Sequence, residues 1–238
     1  MTCSTTAAAV LVAAGNSTRM GGALRKPHLV LAGRSILEHT CAAFAAVPAV
    51  RELVLVVHEG DLERVTALAA GGGAFAKVRA IVAGGRERTD SVRVGVEAVG
   101  PTAEVVLVHD AARPLIRPET IEAAIEVAAR DGAALVAVPV RDTLKSAPDG
   151  SHSVATVDRS TIWAAQTPQA FRASIARELL ARAAREKLVA TDDAALYERF
   201  IGPVTLVHGE WSNLKITSPE DLAIAEAMLA WRAREAHA

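Results

Sequence analysis

Five short runs of Ala, Val, Leu and Ile recur along the chain, at Ala8 to Ala13, Leu53 to Val57, Val78 to Val82, Val105 to Val108 and Leu135 to Val138. Runs of this length and composition read as strands buried on both faces. Helical segments lie between them. Ser35-Ile36-Leu37-Glu38 is a capping box that opens a helix to about Ala46, because Ser35 can accept a free backbone N–H while Glu38 reaches back. Pro118 suits the first helical position before Glu119 to Ala129, with Gly132 just beyond, and Ser218-Pro219-Glu220-Asp221 starts a last helix. Such alternation predicts an α/β fold with a mostly parallel sheet, right-handed crossovers and ligands bound at the carboxyl ends of the strands. With 238 residues, one large domain spanning 1–238 is expected.

Composition narrows the partners. Lys and Arg number 26 against 27 Asp and Glu, a formal net charge of -1, so no global field favours nucleic acid or anionic membranes. Aromatics are only 3%, which argues against stacking platforms for single strands. A small-molecule partner fits better, and any anion site must be local. Cys3 and Cys41 offer neither a disulfide framework nor a zinc ligand set, so no protein metal site is expected and a reducing compartment is the default. No apolar stretch approaches the roughly 20 residues of a membrane helix. A cytoplasmic location is therefore expected.

The first predicted strand runs into Ala13-Ala14-Gly15-Asn16-Ser17-Thr18-Arg19-Met20-Gly21-Gly22, followed by Arg25-Lys26-Pro27. Small residues at Ala13, Ala14 and Gly15 let a nucleotide approach the backbone, while Arg19 and Lys26 bring two positive charges to the same loop. It reads as a loop for a nucleoside triphosphate. Two more loops are predicted at the same edge. In Ala83-Gly84-Gly85-Arg86-Glu87-Arg88-Thr89-Asp90-Ser91, Gly85 is expected to expose backbone groups and Ser91 a hydroxyl to a base. In His109-Asp110-Ala111-Ala112-Arg113-Pro114, Asp110 offers a carboxylate to ribose or to magnesium, and His109 is read as structural.

From Arg141 to Trp163 the pattern breaks. Thr143 to Ser146 and Val154 to Val157 flank Pro148-Asp149-Gly150, a strong turn signal, and predict a protruding β-hairpin. An isolated hairpin is marginal in water, so this arm, about residues 141–163, is expected to pack on a second copy in a homodimer. Beyond it, Arg159, Thr167 and Lys215 are candidates for a second anion site, with Lys215 expected on a strand between Leu214 and Ile216.

In combination these segments, with Pro139-Val-Arg-Asp-Thr143, Thr167-Pro-Gln169 and Asn213-Leu-Lys215, resemble the 2-C-methyl-D-erythritol 4-phosphate cytidylyltransferase family from about Val10 to Leu229. The resemblance implies a Rossmann-like fold of the nucleotide-diphospho-sugar transferase type, and transfer of CMP from CTP to methylerythritol phosphate with release of pyrophosphate. It implies that Arg19 and Lys26 are catalytic cations, and that Ala13, Ala14, Gly15, Gly85, Ser91, Asp110 and Ala111 hold the nucleotide. Arg159, Lys215 and Thr167 would position the acceptor phosphate, and Arg113 and Thr143 would be substrate contacts delivered by the arm across a dimer. Mg2+ would be held mainly by the CTP phosphates.

Two departures from the family pattern stand out. Ser17 occupies a position where the family usually carries a second glycine. Arg25-Lys26-Pro27-His28 replaces a proline-lysine-glutamine order, so Arg25 competes with Lys26 for the cationic role, and the spacing from Arg19 favours Lys26. Ribitol-5-phosphate cytidylyltransferase is the nearest alternative, differing chiefly in the acceptor pocket. A non-catalytic nucleotide-binding module would have no need of both cations and a second anion site. No G-x-G-x-x-G or G-x-x-x-x-G-K-[ST] signature follows the first strand.

Overall fold

In the computed structural model, which describes residues 5–15 and 25–235, seven strands form one central sheet. They are β1 (Ala7–Ala13), β4 (Val50–Val57), β5 (Val78–Ala83), β6 (Val105–Asp110), β7 (Ala133–Pro139), β10 (Trp163–Arg172) and β11 (Thr205–His208), in the order β11-β7-β10-β6-β1-β4-β5. Two small hairpins stand apart, β2 (Val30–Leu31) with β3 (Arg34–Ser35), and β8 (Leu144–Ser146) with β9 (Ala155–Val157). The helices are α1 (Ile36–Ala46), α2 (Leu62–Ala70), α3 (Arg88–Glu97), α4 (Pro118–Asp131), α5 (Ala173–Arg185), α6 (Ala194–Phe200) and α7 (Pro219–Glu235).

β1 shows why the sequence folds this way. Successive side chains point to opposite faces, so Ala7, Ala9, Leu11 and Ala13 join a core beneath α1 and α4, whereas Ala8 and Val10 join another with α3 and α5. Both layers exclude water, and a continuous apolar run satisfies both. α3 approaches the sheet closely at Gly95, where a Cβ would lie 2.4 Å from Val10 Cγ1 and 2.7 Å from Val56 Cγ2. The capping box of α1 forms as expected: the Ser35 side chain accepts from the Glu38 N–H at 3.2 Å, and the Glu38 carboxylate takes the Ser35 N–H at 2.8 Å. Such a cap stabilises a helix by about 1 kcal/mol.

The five expected strands are present, and the mostly parallel α/β architecture holds. Two strands carried no clear signal. β10 is antiparallel to both its neighbours, β6 and β7, in the interior of the sheet, although its sequence contains Gln166, Thr167, Pro168 and Gln169. Proline and polar side chains argue against a central strand. Here the register shifts between Ala165 and Gln169, so Pro168 falls where the ladder is interrupted. β11 has only four residues, of which Val207 alone is fully buried. The segment around Lys215 corrects the expectation of a strand: Asn213 to Thr217 is irregular, although Ile216 is buried and Lys215 exposed as alternation required.

The arm is a hairpin as expected. β8 and β9 pair antiparallel, and the Asp149 carboxylate closes the turn by accepting the N–H groups of Ser151 and His152 at 2.9 and 2.8 Å.

Candidate functional site

β1, β4, β5 and β6 run in one direction, and β10, antiparallel to β6 and β7, brings β7 and β11 into line with them. Their carboxyl ends therefore share one edge, where the predicted loops meet. Ala13 closes β1, followed by Ala14 and Gly15, while Gly84 and Gly85 follow β5. A Cβ on Gly84 would sit 2.2 Å from Ala14 Cβ and 2.9 Å from Ser91 Oγ, so glycine is required for these two loops to touch. Arg19, and Ser17 with it, lies outside the described residues.

Gly85 and Ser91 meet each other within the chain. Ser91 is buried on α3, its hydroxyl accepts the Gly85 N–H at 3.1 Å and bonds the Glu87 carbonyl at 3.1 Å. The two groups engage each other and set the shape of the loop. Replacing Gly84 with Ala must push the Ala14 loop away from Ser91. Overpacking of this kind amounts to about 1–3 kcal/mol, so we expect the KM for CTP to rise about tenfold, checked by steady-state kinetics alongside a thermal melt.

Asp110, the last residue of β6, is the electrostatic hub. Its Oδ2 is 2.7 Å from Lys215 Nζ and 3.9 Å from Arg113 Nε, and its Oδ1 is 3.8 Å from Arg88 Nη2. Burial pushes the carboxyl pKa up, but Lys215, Arg88 and Arg113 together outweigh that and hold it below the usual carboxylate range. Arg88 also binds Asp193, 2.9 Å from Nη1 to Oδ2. Asp193 is fully buried, which raises its pKa despite Arg88.

The lower layer fixes this cluster. Thr167 is buried in β10, and its hydroxyl accepts the Asp110 N–H at 3.1 Å while lying 3.0 Å from His109 Nδ1. His109 Nε2 is 3.1 Å from the Arg113 carbonyl, a network that assigns a neutral imidazole protonated on Nε2. Burial lowers its pKa to about 4, in keeping with the structural role read from sequence. The Thr167 hydroxyl thus engages the backbone beneath Asp110. Asn213 donates to Gln166 Oε1 at 3.1 Å and to the Thr167 carbonyl at 2.9 Å, its own carbonyl takes Arg113 Nη1 at 2.8 Å, and the Ile216 N–H reaches the Ala112 carbonyl at 2.8 Å. Those bonds hold Lys215 over Asp110 without a strand. Ala111 is buried and donates its N–H to the Val12 carbonyl at 3.0 Å, tying the β6 loop to β1.

Lys26 lies half-buried in a single 3-10 turn, Lys26–His28. Its rival Arg25 gives its guanidinium to Asp61, Nη1 to Oδ1 2.8 Å. Arg113 sits beside Asp110 in the β6 loop. Thr143 and Arg159 are exposed on the arm, and Arg159 Nη1 donates to the Arg141 carbonyl. Among the described residues neither bonds Lys215 or Asp110 within one chain. The Arg141 guanidinium stacks 4.4 Å above the Trp211 ring, joining the base of the arm to the loop that leads to Lys215.

Residues 7–231 match the family model for 2-C-methyl-D-erythritol 4-phosphate cytidylyltransferase. The chain belongs to that family. It is 45% identical over 224 residues to the protein of that name from Pelotomaculum thermopropionicum, with 93% of each chain covered. Identity to the one from Desulforamulus reducens is 44% over 225 residues, covering 93% of this chain and 94% of the other. Among solved structures, 4-diphosphocytidyl-2C-methyl-D-erythritol synthase from Anaerococcus prevotii superposes with a TM-score of 0.82 at 30% identity, covering 95% and 96%. The cytidylyltransferase from Thermus thermophilus gives 0.76 at 37%, covering 92% and 97%. The chain is thus a nucleotidyltransferase enzyme.

Two polar residues of this cytidylyltransferase's site, Arg88 and Asp193, were not singled out from sequence. Arg88 lies in the loop after β5, residues 83–91, and its signal was a second arginine two residues after Arg86. Asp193 carried no local signal, because it reaches the site from the start of α6, where Gln169 Oε1 accepts the Asp193 and Ala194 N–H groups at 2.8 Å each.

Proposed function

We propose that the strand-end site transfers CMP from CTP to 2-C-methyl-D-erythritol 4-phosphate, with Arg19 and Lys26 stabilising the triphosphate charge as the α-phosphorus becomes five-coordinate. The observation that carries this reading is the convergence of the Ala14, Gly84, Asp110 and Lys215 segments on one edge, with Lys215 2.7 Å from Asp110. The Ala13–Gly15 and Gly84–Gly85 loops form the cytidine side. Lys215, supported by Arg113, faces the acceptor phosphate. The acceptor oxygen is already anionic near neutral pH, so no general base is needed, and the site must screen two polyanions and align them.

Mg2+ fits this site as a nucleotide-borne ion. Among the described residues no group of three or more His, Cys, Asp or Glu side chains is placed to hold a metal, and Asp110 is the carboxylate positioned to meet one carried on phosphate oxygens, or else the ribose. Bound there, it would neutralise charge on the triphosphate.

Arg159 and Thr143 complete the site only if the arm reaches a second copy, so the enzyme is a homodimer in this reading. Val154 and Val157 are exposed apolar residues on the arm, consistent with such packing. Mass measurement on dilution to micromolar concentration should return the dimer; a monomer throughout would remove the shared site. No described helix is long and apolar enough to cross a membrane, and a cytoplasmic location accords with that.

The test of the assignment is pyrophosphate release from CTP and Mg2+ with methylerythritol 4-phosphate and ribitol 5-phosphate offered in parallel. Release with the first acceptor alone supports the reading. Release with the second alone keeps the mechanism and moves the substrate to a different polyol phosphate.

A further inference from the structure

Lys26 is flanked in sequence by two residues that converge on one carboxylate. Asp61 ends a 3-10 turn, Glu59–Asp61, just past β4 on the same edge of the sheet, and it is buried. Its Oδ1 takes Arg25 Nη1 at 2.8 Å, and its Oδ2 lies 3.4 Å from Nε2 of the buried His28. Neither ring nitrogen of His28, nor Asp61 Oδ2, has a hydrogen bond to any other described residue. The Arg25 guanidinium also packs over Gly60, where a Cβ would be 3.6 Å from Nη2. The turn closes on itself through the His28 N–H to the Arg25 carbonyl at 3.0 Å and the Leu29 N–H to the Lys26 carbonyl at 3.1 Å.

We infer that Asp61 is a positioning residue for Lys26, clamping its turn from both sides through Arg25 and His28. The inference rests on the reading of Lys26 as a catalytic cation. One carboxylate oxygen holds the residue before Lys26 and the other faces the residue two after it, so the backbone that aims Lys26 is referenced to the end of β4. Arg25 and Pro27 are the positions where this chain departs from the proline-lysine-glutamine order, and the first of these departures supplies the guanidinium that Asp61 holds. A buried ion pair is weak evidence for stability, whereas displacement of a catalytic group by about 1 Å can lower a rate a hundredfold.

The test is kinetic, on the full-length enzyme with CTP, Mg2+ and methylerythritol 4-phosphate. Asp61→Ala should lower kcat about thirtyfold with the KM for CTP within threefold of the parent. Asp61→Asn keeps an acceptor for Arg25 and a polar group for His28, and should recover most of kcat. In a Lys26→Ala background, Asp61→Ala should lower kcat by no more than a further twofold, because both changes remove the same contribution. A full additional thirtyfold loss there would show that Asp61 acts by another route and overturn the inference. If Asp61→Ala does not fold, Arg25→Ala, at a half-exposed position, carries the same comparison with an expected loss of about tenfold. Unchanged kcat in folded Asp61→Ala, or in Arg25→Ala where that variant stands in for it, while Lys26→Ala is impaired, sinks the clamp alone. Unchanged kcat in Lys26→Ala sinks the reading of Lys26 and the clamp with it.

Discussion

Lys26→Ala is expected to lower kcat by about a hundredfold or more while raising the KM for CTP much less. A cation aimed at charge that builds in the transition state contributes more there than in the ground state, and removing one such preorganised donor typically lowers kcat 10²–10³-fold. Arg25 cannot substitute in place, since its guanidinium is engaged by Asp61 at 2.8 Å. The comparison variant is therefore Lys26→Arg, which keeps charge on a planar, bulkier head and should recover activity only in part. Steady-state kinetics in both substrates decide the matter. A kcat within twofold of the parent in Lys26→Ala would remove Lys26 from the chemistry.

Much of this fold was readable because its signals are local. The capping box at Ser35 and Glu38, Pro118 at the first turn of α4, and the apolar runs of β1, β4 and β6 each act within a few residues, and each element formed as expected. β10 was not readable, because Gln166, Thr167 and Gln169 are polar for reasons found elsewhere in the chain. Gln169 caps α6, Thr167 holds the Asp110 N–H, and Gln166 meets Asn213. A residue whose partner lies tens of positions away looks like loop polarity when only its neighbours are visible. The same limit applies to the site. Asp110 and Lys215 were legible as chemistry, but their 2.7 Å contact depends on bonds from Asn213 and Ile216 to other segments. Ser91 and Thr167 were legible as hydroxyls, yet burial turned both inward.

Replacing Asp110 with Asn should cost both stability and catalysis. The variant keeps size and one acceptor but leaves Arg88, Arg113 and Lys215 without their shared negative charge. Lys215 is about half exposed and can turn to water, which discounts its share. Arg88 and Arg113 are largely buried, 3.8 and 3.9 Å from the carboxylate, and cannot escape as readily. Breaking a buried pair lowers stability by about 3–5 kcal/mol, so with that discount about 2–3 kcal/mol is expected, or roughly 5–10 °C in melting temperature for a chain of this size. The pH dependence gives an independent check. Because the folded-state pKa of Asp110 is depressed, its contribution is fully present above the ordinary carboxylate pKa and is lost as pH falls through the lower folded value. The parent should therefore shed this stability between about pH 4 and the depressed pKa, and the Asp110→Asn variant should lack that component of the acid slope. Activity should fall about a hundredfold in kcat/KM, since the loop that seats Lys215 and Arg113 loses its anchor. Adding Lys215→Met to Asp110→Asn should cost less than the sum of the single changes, because Lys215 has already lost its partner. Strict additivity in that cycle would mean that the Lys215–Asp110 contact contributes nothing to the site.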